Sequence, residues 1–300
     1  MSSLRDSLTA GLRIARYHGQ ILTKKIRALV SGGPTLEALD SIPAVTVFIT
    51  NINNRYPLEL TLRTLTANTA YPNYQILVAD NGSTDGSIDM VKELIRQGFP
   101  IRLIEHGAPR PQHEWYDYMA ETVDTPLWIG LHEDMMFLDD DWLVELVFEA
   151  QRQPDLLLLG GEYFPPRFGM REPVSKETVN LMESLSTWIF CARADLREHV
   201  DTSFSYYKHW SDEANRTILY DQGGKLIRDL RAAGLGFGCM PPAFTNKYQH
   251  VANISWAFKH DMQDAQRRYK LHQLADIKRR VKRLRRPLPP QPTPAPASLQ

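Results

Sequence analysis

The chain has few cysteines and no long apolar run. Its two cysteines among 300 residues, Cys191 and Cys239, have no zinc-site spacing and form no disulfide framework. This scarcity favours a reducing compartment. No apolar stretch reaches the roughly 20 residues of a membrane-spanning helix. The first ten residues lack the pattern of a signal peptide. We therefore predict a cytoplasmic location.

The chain also lacks net charge, because 35 Lys and Arg balance 35 Asp and Glu. The balance is nevertheless uneven. It is +3 over residues 1–40, −10 over residues 41–259 and +7 over residues 260–300. A core that binds nucleic acid would usually present a basic face, so the acidic middle argues against a nucleic-acid partner.

Short apolar runs alternate with helix-like segments from residue 45 to residue 151. We predict strands at 45–49, 75–79, 101–105 and 127–131, and helices at 58–67, 88–97, 113–123 and 140–151. This alternation predicts an α/β fold with a mostly parallel central sheet. The pattern weakens after Pro154, where the clear helix is at 225–233.

The composition divides the chain into four segments. We predict an amphipathic helical extension at 1–42, a main domain at 43–258, a basic helix at 259–286 and a disordered Pro/Ala-rich tail at 287–300. The two basic ends favour either helices that lie on an anionic membrane surface or solvated helices packed on their own domain.

The segment after the second predicted strand is the most informative one. Asp80 ends that strand. Ligands of open parallel sheets bind beyond the carboxyl ends of the strands, so Asp80 is a candidate ligand contact. Gly82 and Gly86 suit tight turns, and Ser83 or Thr84 can cap the next helix.

The predicted strand at 127–131 also ends in acidic residues, within His132-Glu133-Asp134. A divalent metal that bridges a diphosphate needs carboxylate oxygens on a rigid strand end. The alternative is a solvated turn. A histidine such as His132 can bind a borderline metal such as Mn²⁺ but suits Mg²⁺ poorly.

A second acidic cluster follows at Asp139, Asp140 and Asp141. It resembles a further metal site, but we favour a structural interpretation. These residues precede a predicted helix, and Asp is favoured at the N-cap and in the first turn.

Together these segments resemble family 2 glycosyltransferases over about residues 44–256. The similarity is strongest at 78–87 and 127–143, in that order, with His132-Glu133-Asp134 in place of the usual Asp-x-Asp. It implies a three-layer glycosyltransferase A fold, here with N- and C-terminal helical extensions. It also implies an enzyme that moves a sugar, with inversion, from a nucleotide diphosphate sugar to a glycan or lipid-linked acceptor.

The resemblance implies roles for single residues. The nucleotide-contacting set is Thr50, Asn51, Asp80, Asn81, His113, Asp117 and Glu133, and the divalent-metal set is His132, Asp134 and His250, with Mn²⁺ favoured over Mg²⁺. His250 begins a segment similar to the family's late His-x-x-Gly-x-Ser, with Asn253 at the glycine position. An ordinary polar loop after the first strand, and a structural histidine, remain the alternatives.

The same resemblance places a catalytic base at Asp221, just before the helix at 225–233. An inverting transferase needs a carboxylate that takes the proton of the acceptor hydroxyl. Asp212 and Glu213 are rival candidates, and a helix cap is the structural alternative for Asp221. The aromatic residues of 188–193 suit either sugar stacking or core packing.

Two other classes of protein remain open. Replacement of the first metal-motif aspartate by His132 motivates a non-catalytic sugar-nucleotide-binding or assembly module. A nucleotidyltransferase can share the nucleotide-binding half-fold, but it usually has a glycine-rich basic loop after its first strand, and residues 51–57 lack those glycines.

Overall fold

The computed structural model of the chain describes residues 2–164, 178–181, 184–212, 215–220, 222–251 and 264–285. The helices are α1 (Ser2–Ser31), α2 (Arg55–Ala67), α3 (Ser87–Arg96), α4 (Gln112–Thr122), α5 (Trp142–Arg152), α6 (Leu196–His199), α7 (Gly224–Ala232) and α8 (Asp264–Leu284). Two 3₁₀ turns span Leu36–Ala38 and Pro242–Asn246.

The strands form one large sheet and three small ones. They are β1 (Val45–Asn51), β2 (Tyr74–Asp80), β3 (Ile101–Glu105), β4 (Leu127–Leu131), β5 (Met135–Phe137), β6 (Leu156–Gly160), β7 (Tyr163–Phe164), β8 (Thr178–Leu181), β9 (Ser184–Leu185), β10 (Ile189–Arg193), β11 (Tyr207–Ser211), β12 (Arg216–Tyr220), β13 (Gly236–Cys239) and β14 (Tyr248–His250).

The central sheet has seven strands in the order β13-β6-β10-β4-β1-β2-β3. Neighbouring strands run parallel except where β10 pairs with β4 and β6. Every residue of β1 is buried, as expected for a parallel strand that is covered on both faces. The predicted α/β class with a mostly parallel sheet is confirmed.

Helices cover both faces of this sheet, which makes three layers. Val47 and Ile49 pack in a core with α2, α3 and α5, whereas Phe48 points into a second core with α4 and α7. Gly130 of β4 lies directly under Phe190 of β10, since an added Cβ would be 2.2 Å from the Phe190 ring. The antiparallel strand therefore fits closely because its neighbour has no side chain at that point.

The two terminal helices pack against each other, and α8 also packs against α2. They share a separate small core, to which Tyr17, Ile21, Leu60, Ile277 and Val281 contribute. In the part of the chain that the structure describes, no helix combines the length and the apolar character needed to cross a bilayer.

The predicted elements up to residue 151 are all present, with ends that differ by a few residues. Sequence patterning missed two strands of the central sheet, β6 and β13. Both are short and follow Pro154. The segment around 188–193 supplies β10, and Phe190 and Cys191 pack in the core. The predicted tail at 287–300 lies outside the described residues.

Candidate functional site

The carboxyl ends of β1, β2 and β4 lie side by side at one edge of the central sheet. In the strand register Asn51 is opposite Asp80, and Ile49 is opposite Leu131. The segments that follow Asp80 and Leu131 therefore start at the same edge, which is where α/β sheets bind ligands.

Asp80 is fully buried at this edge and holds the adjoining loops. Its Oδ1 accepts a hydrogen bond from the Ser83 backbone N–H at 2.7 Å, and its Oδ2 accepts from Asn51 Nδ2 at 2.8 Å and Ser83 Oγ at 2.7 Å. We predicted a direct contact with a ligand. That contact stays a prediction, and the hydrogen bonds of the 0% exposed Asp80 also position the loops at this edge.

The predicted cap of α3 by Ser83 or Thr84 is wrong. The N-cap is Gly86, without a side-chain cap bond, and Asp85 Oδ1 accepts from the Ser87 backbone N–H at 3.0 Å instead. Gly86 has φ +84° and Gly82 has φ +78°. These left-handed conformations confirm the predicted tight turns and explain why glycine occupies both positions.

Two more of the predicted nucleotide-contacting residues, Asn51 and Asn81, lie at this edge. Asn51 Oδ1 is buried without a hydrogen-bond partner. A buried unpaired acceptor is rare, so this oxygen is a candidate contact for a ligand donor. Asn81 Oδ1 accepts from Trp115 Nε1 at 2.7 Å and from the Arg110 backbone N–H at 3.2 Å, so Asn81 fixes the loop that precedes α4.

On α4, the predicted residues His113 and Asp117 face the segment near residue 204. Asp117 Oδ1 accepts from the Phe204 backbone N–H at 2.6 Å, and the His113 ring lies edge-to-face on Tyr206 at 5.9 Å. Gln112 of the same helix reaches the strand edge, with Nε2 3.4 Å from Thr50 Oγ1. The sequence carried no signal that singled out Gln112.

His132, Asp134 and His250 come together at this edge as one cluster. One ligand atom from each lies within 4.8 Å of the others. His132 and Asp134 follow β4, whereas His250 ends β14, which pairs with β5 directly after Asp134. The two-stranded antiparallel sheet of β5 and β14 thus brings His250, which is distant in the chain, to the acidic turn.

The cluster has the properties of a metal site. His250 Nε2 lies 3.0 Å from Asp134 Oδ1, yet neither atom has a hydrogen-bond partner of acceptable geometry, and the buried His132 Nε2 has none either. Ligands of one ion are separated by about 3 Å when metal–ligand distances are near 2.1 Å. These residues could hold a divalent metal ion.

The protonation states agree with metal ligation. Burial lowers the pKa of His132 to about 4, although the Asp134 carboxylate opposes this shift. Burial alone would raise the pKa of Asp134, but His250 and His132 beside it lower the pKa below its usual value. Near neutral pH the imidazole of His132 is therefore neutral and the carboxylate is charged, which are the forms that bind metals.

Glu133 connects the acidic turn with the loop after β1. Its Oε1 accepts from Asn54 Nδ2 at 2.6 Å, and burial together with the Asp134 charge raises the pKa of Glu133. Asn53, next to Asn54, accepts the Thr84 backbone N–H at 2.8 Å. The loop after β1, for which an ordinary polar loop was the alternative, therefore joins the ends of β2 and β4.

The acidic residues before α5 have a structural role, as predicted, but not as caps. Asp141 is the N-cap residue without a side-chain cap bond. Instead the buried Lys247 Nζ contacts Asp141 at 2.5 Å, Glu145 at 3.2 Å and Asp139 at 3.3 Å. Lys247 directly precedes β14, so this ion cluster anchors the strand that carries His250.

Two further residues near the metal cluster were not predicted as members of the site. Trp188 stacks on the His250 ring, with centroids 5.1 Å apart. Lys270 of α8 is buried, which lowers its pKa, while the charge of Asp134 raises it. Burial outweighs the charge of Asp134, so the pKa of Lys270 lies below its usual value.

The predicted base Asp221 and its rival Glu213 lie outside the described residues, as does Asn253. The other rival, Asp212, is exposed and accepts from Trp210 Nε1 at 2.9 Å.

Solved structures of glycosyltransferases resemble the fold. A mannosyltransferase from Pyrobaculum calidifontis, solved with GDP-Man and Mn²⁺, is 15% identical, with 93% of this chain and 83% of that chain covered and a TM-score of 0.45. Glucosyl-3-phosphoglycerate synthase of M. tuberculosis is 13% identical, with 66% and 70% covered and a TM-score of 0.41. S. aureus TarS is 14% identical, with 81% and 73% covered and a TM-score of 0.39. These similarities concern the fold and not the substrates.

The sequence supplies the stronger comparison. No curated protein matches the chain. The profile of glycosyl transferase family 2 matches residues 46–198. This match includes β1 to β4, the loops that Asp80 holds and the His132-Glu133-Asp134 turn, and it covers just over half of the chain. The chain therefore belongs to glycosyl transferase family 2.

Proposed function

We propose that this glycosyltransferase moves a sugar, with inversion, from a nucleotide diphosphate sugar to a glycan or lipid-linked acceptor, and that it needs a divalent metal. The observation that carries the proposal is the cluster of His132, Asp134 and His250 at the same sheet edge as the loops held by Asp80. Membership of the family supports sugar transfer, and the cluster supports a diphosphate leaving group.

The nucleoside would bind at the ends of β1 and β2. Asn51 Oδ1 is the candidate acceptor there, because it is buried and unpaired. Asp80 would set its position, since it accepts a hydrogen bond from the Nδ2 of the same side chain. Asn81 would hold α4 beside this site, because its side chain accepts a hydrogen bond from Trp115.

The diphosphate would lie beside the acidic turn. His132, Asp134 and His250 would hold a divalent ion, whose charge stabilises the departing diphosphate. We infer that Mn²⁺ serves better than Mg²⁺ because two of the three ligands are imidazoles. Lys270 would add a second positive charge near the same position.

The acceptor hydroxyl would lose its proton to Asp221, whose carboxylate acts as the general base while the hydroxyl oxygen attacks the anomeric carbon. The placement of this base follows from the order of the family's segments along the chain. Asp212 and Glu213 remain the alternatives. Because the base only takes a proton, its loss would slow transfer without removing the donor site.

The direct test measures release of nucleoside diphosphate from a panel of UDP-, GDP- and dTDP-sugars, with Mn²⁺, with Mg²⁺ and with chelator. We expect one donor to be consumed in the presence of Mn²⁺. Asp134→Asn should abolish this activity, whereas Asp140→Asn, an exposed residue of the same acidic stretch, should retain it. Equal activity of the two variants, or full activity with chelator, would contradict the metal-dependent mechanism.

The same panel separates the other candidate functions. A binding or assembly module of the same fold would show a thermal shift with a sugar nucleotide but no turnover under any condition. A nucleotidyltransferase would release pyrophosphate from a nucleoside triphosphate. The family match favours the transferase over both.

A further inference from the structure

The outer face of α1 carries a row of exposed apolar side chains. Leu8, Leu12, Leu22, Ile26 and Leu29, here called the α1 stripe, are 62%, 73%, 61%, 53% and 86% exposed. Ala15 and Gly19 complete the alternating spacing of four and three residues. This spacing places all of these positions along one side of a helix.

The stripe is not the face that stabilises the fold. The buried residues Ala10, Tyr17, Ile21 and Ala28 lie on another side of α1, where the helix packs against α8. The helix thus has two apolar faces, and the structure uses one of them. A row of large exposed apolar residues on one element is more than the scattered single exposure that is normal for surfaces.

The charges around the stripe all have one sign. Residues 7–30 contain no Asp or Glu, and their basic residues are Arg13, Arg16, Lys24, Lys25 and Arg27, of which Lys24 lies on the opposite side of the helix. Arg16, Lys25 and Arg27 are exposed. The neighbouring α8 adds the exposed basic residues Lys278, Lys282 and Arg283.

This charge pattern decides between two occupants of the stripe. A second copy of the chain would bring two basic helices together, whereas paired helices normally carry opposite charges beside the apolar seam. An anionic lipid surface offers acyl chains to the leucines and negative charge to the basic residues. The charge complementarity favours the lipid surface.

We propose that α1 docks the protein on the surface of an anionic membrane, with the α1 stripe in the interface between headgroups and acyl chains. The opposite side of the helix reaches the candidate active site, because Lys24 Nζ donates to the Tyr248 backbone oxygen at 2.9 Å and β14 carries His250. Docking would therefore place one helix, about 10–12 Å across, between the lipid and the strand that carries His250.

The test is sedimentation of the purified full chain with lipid vesicles, without any sugar nucleotide, so that the result does not depend on the proposed transferase activity. We expect binding to vesicles of phosphatidylcholine mixed with phosphatidylglycerol, weaker binding at high salt, and little binding to phosphatidylcholine alone. The variant Leu12→Asp/Leu22→Asp should lower the partition coefficient at least about tenfold, because binding scales with buried apolar area.

A matched control carries the same change of charge elsewhere. Ile42 and Ile95 are 44% and 37% exposed and lie outside α1, so Ile42→Asp/Ile95→Asp should bind vesicles nearly as well as the parent. The variant Arg16→Gln/Lys25→Gln/Arg27→Gln tests the electrostatic part, with a loss of roughly fivefold for each basic residue removed. Thermal melting of every variant checks that the fold is retained.

Three outcomes would overturn the proposal. The first is a parent protein that does not bind anionic vesicles. The second is a stripe variant that melts normally and binds vesicles as well as the parent. The third is a parent that is dimeric by light scattering and becomes monomeric in the stripe variant without vesicle binding, since the stripe would then contact a second copy of the chain.

Discussion

His250 Nε2 lies 3.0 Å from Asp134 Oδ1, although the two residues are far apart in the chain. Antiparallel pairing of β14 with β5 produces this contact, because His250 is opposite Met135 in the register. A further bond from the Val251 backbone N–H to the Asp134 carbonyl oxygen, at 2.9 Å, closes the arrangement. The cluster of His132, Asp134 and His250 therefore depends on β14, which lies beyond the residues 46–198 matched by the family profile.

The first prediction concerns metal affinity. His250→Ala should weaken Mn²⁺ binding by about 10–100-fold or more, because one of three protein ligands is lost. Isothermal titration with MnCl₂ measures this directly. His209→Ala, which removes a histidine of β11 that is not part of the cluster, is the control. Unchanged affinity in His250→Ala would remove His250 from the ligand set.

The second prediction concerns Asp80. Asp80→Ala should weaken nucleotide binding by about 1–3 kcal/mol, because Asn51 and Ser83 lose the acceptor that positions them. Ser83→Ala removes one of these hydrogen bonds and should show a smaller loss in the same direction. Titration with the nucleoside diphosphate gives both values. If Asp80→Ala melts normally and binds the nucleotide unchanged, the loops do not need this carboxylate.

The third prediction concerns the base. Asp221→Asn should reduce transfer by roughly 10²-fold or more and leave nucleotide affinity nearly unchanged. The Asp221 carboxylate should lie within about 10 Å of Asp134, since the acceptor hydroxyl must meet the anomeric carbon beside the diphosphate. Steady-state rates of Asp221→Asn, Asp212→Asn and Glu213→Gln compare the candidates. A loss confined to one of the latter two variants would move the base there.

The fourth prediction concerns the docking of α8 on α2. Burial alone would raise the pKa of Glu59, but hydrogen bonds from Arg285 and Arg63 outweigh it and lower the pKa. Stability from Glu59 is therefore complete above the unfolded-state pKa, near 4.3, and is lost as the pH falls through the lower folded-state value.

Chemical denaturation at several pH values tests this point. Glu59→Gln should reduce the free energy of unfolding at pH 7 by about 1.5–3 kcal/mol, the range for hydrogen bonds to charged groups, and should flatten its decline below about pH 4.5. Glu93→Gln breaks an exposed ion pair with Arg96 and should change stability by less than about 1 kcal/mol. Equal effects of both substitutions on the free energy of unfolding would show that the buried Glu59 contributes no more than an exposed ion pair.

Local patterns in the sequence determined β1 to β4, α2 to α5 and the acidic turn after β4, but not the short strand β5. Apolar runs of strand length favour strands when longer helical segments separate them. The resemblance to the family supplied His250 as a candidate third metal ligand. The strands β6 and β13 escaped prediction because they are short, and their place in the sheet comes from pairing with distant strands rather than from local residues.

Tertiary packing alone decided how the polar residues are used. The sequence predicts a ligand contact at Asp80 from its position, and only the fold shows that its carboxylate also accepts hydrogen bonds from Asn51 and Ser83. Asp141 has the local features of a helix cap, yet its carboxylate forms an ion pair with the buried Lys247, more than a hundred residues later in the chain. The leucines of α1 were apolar positions in the sequence, and only the packing of α8 on another face left them exposed. A side chain's partner depends on which segments the fold brings to it, and local sequence does not contain that information.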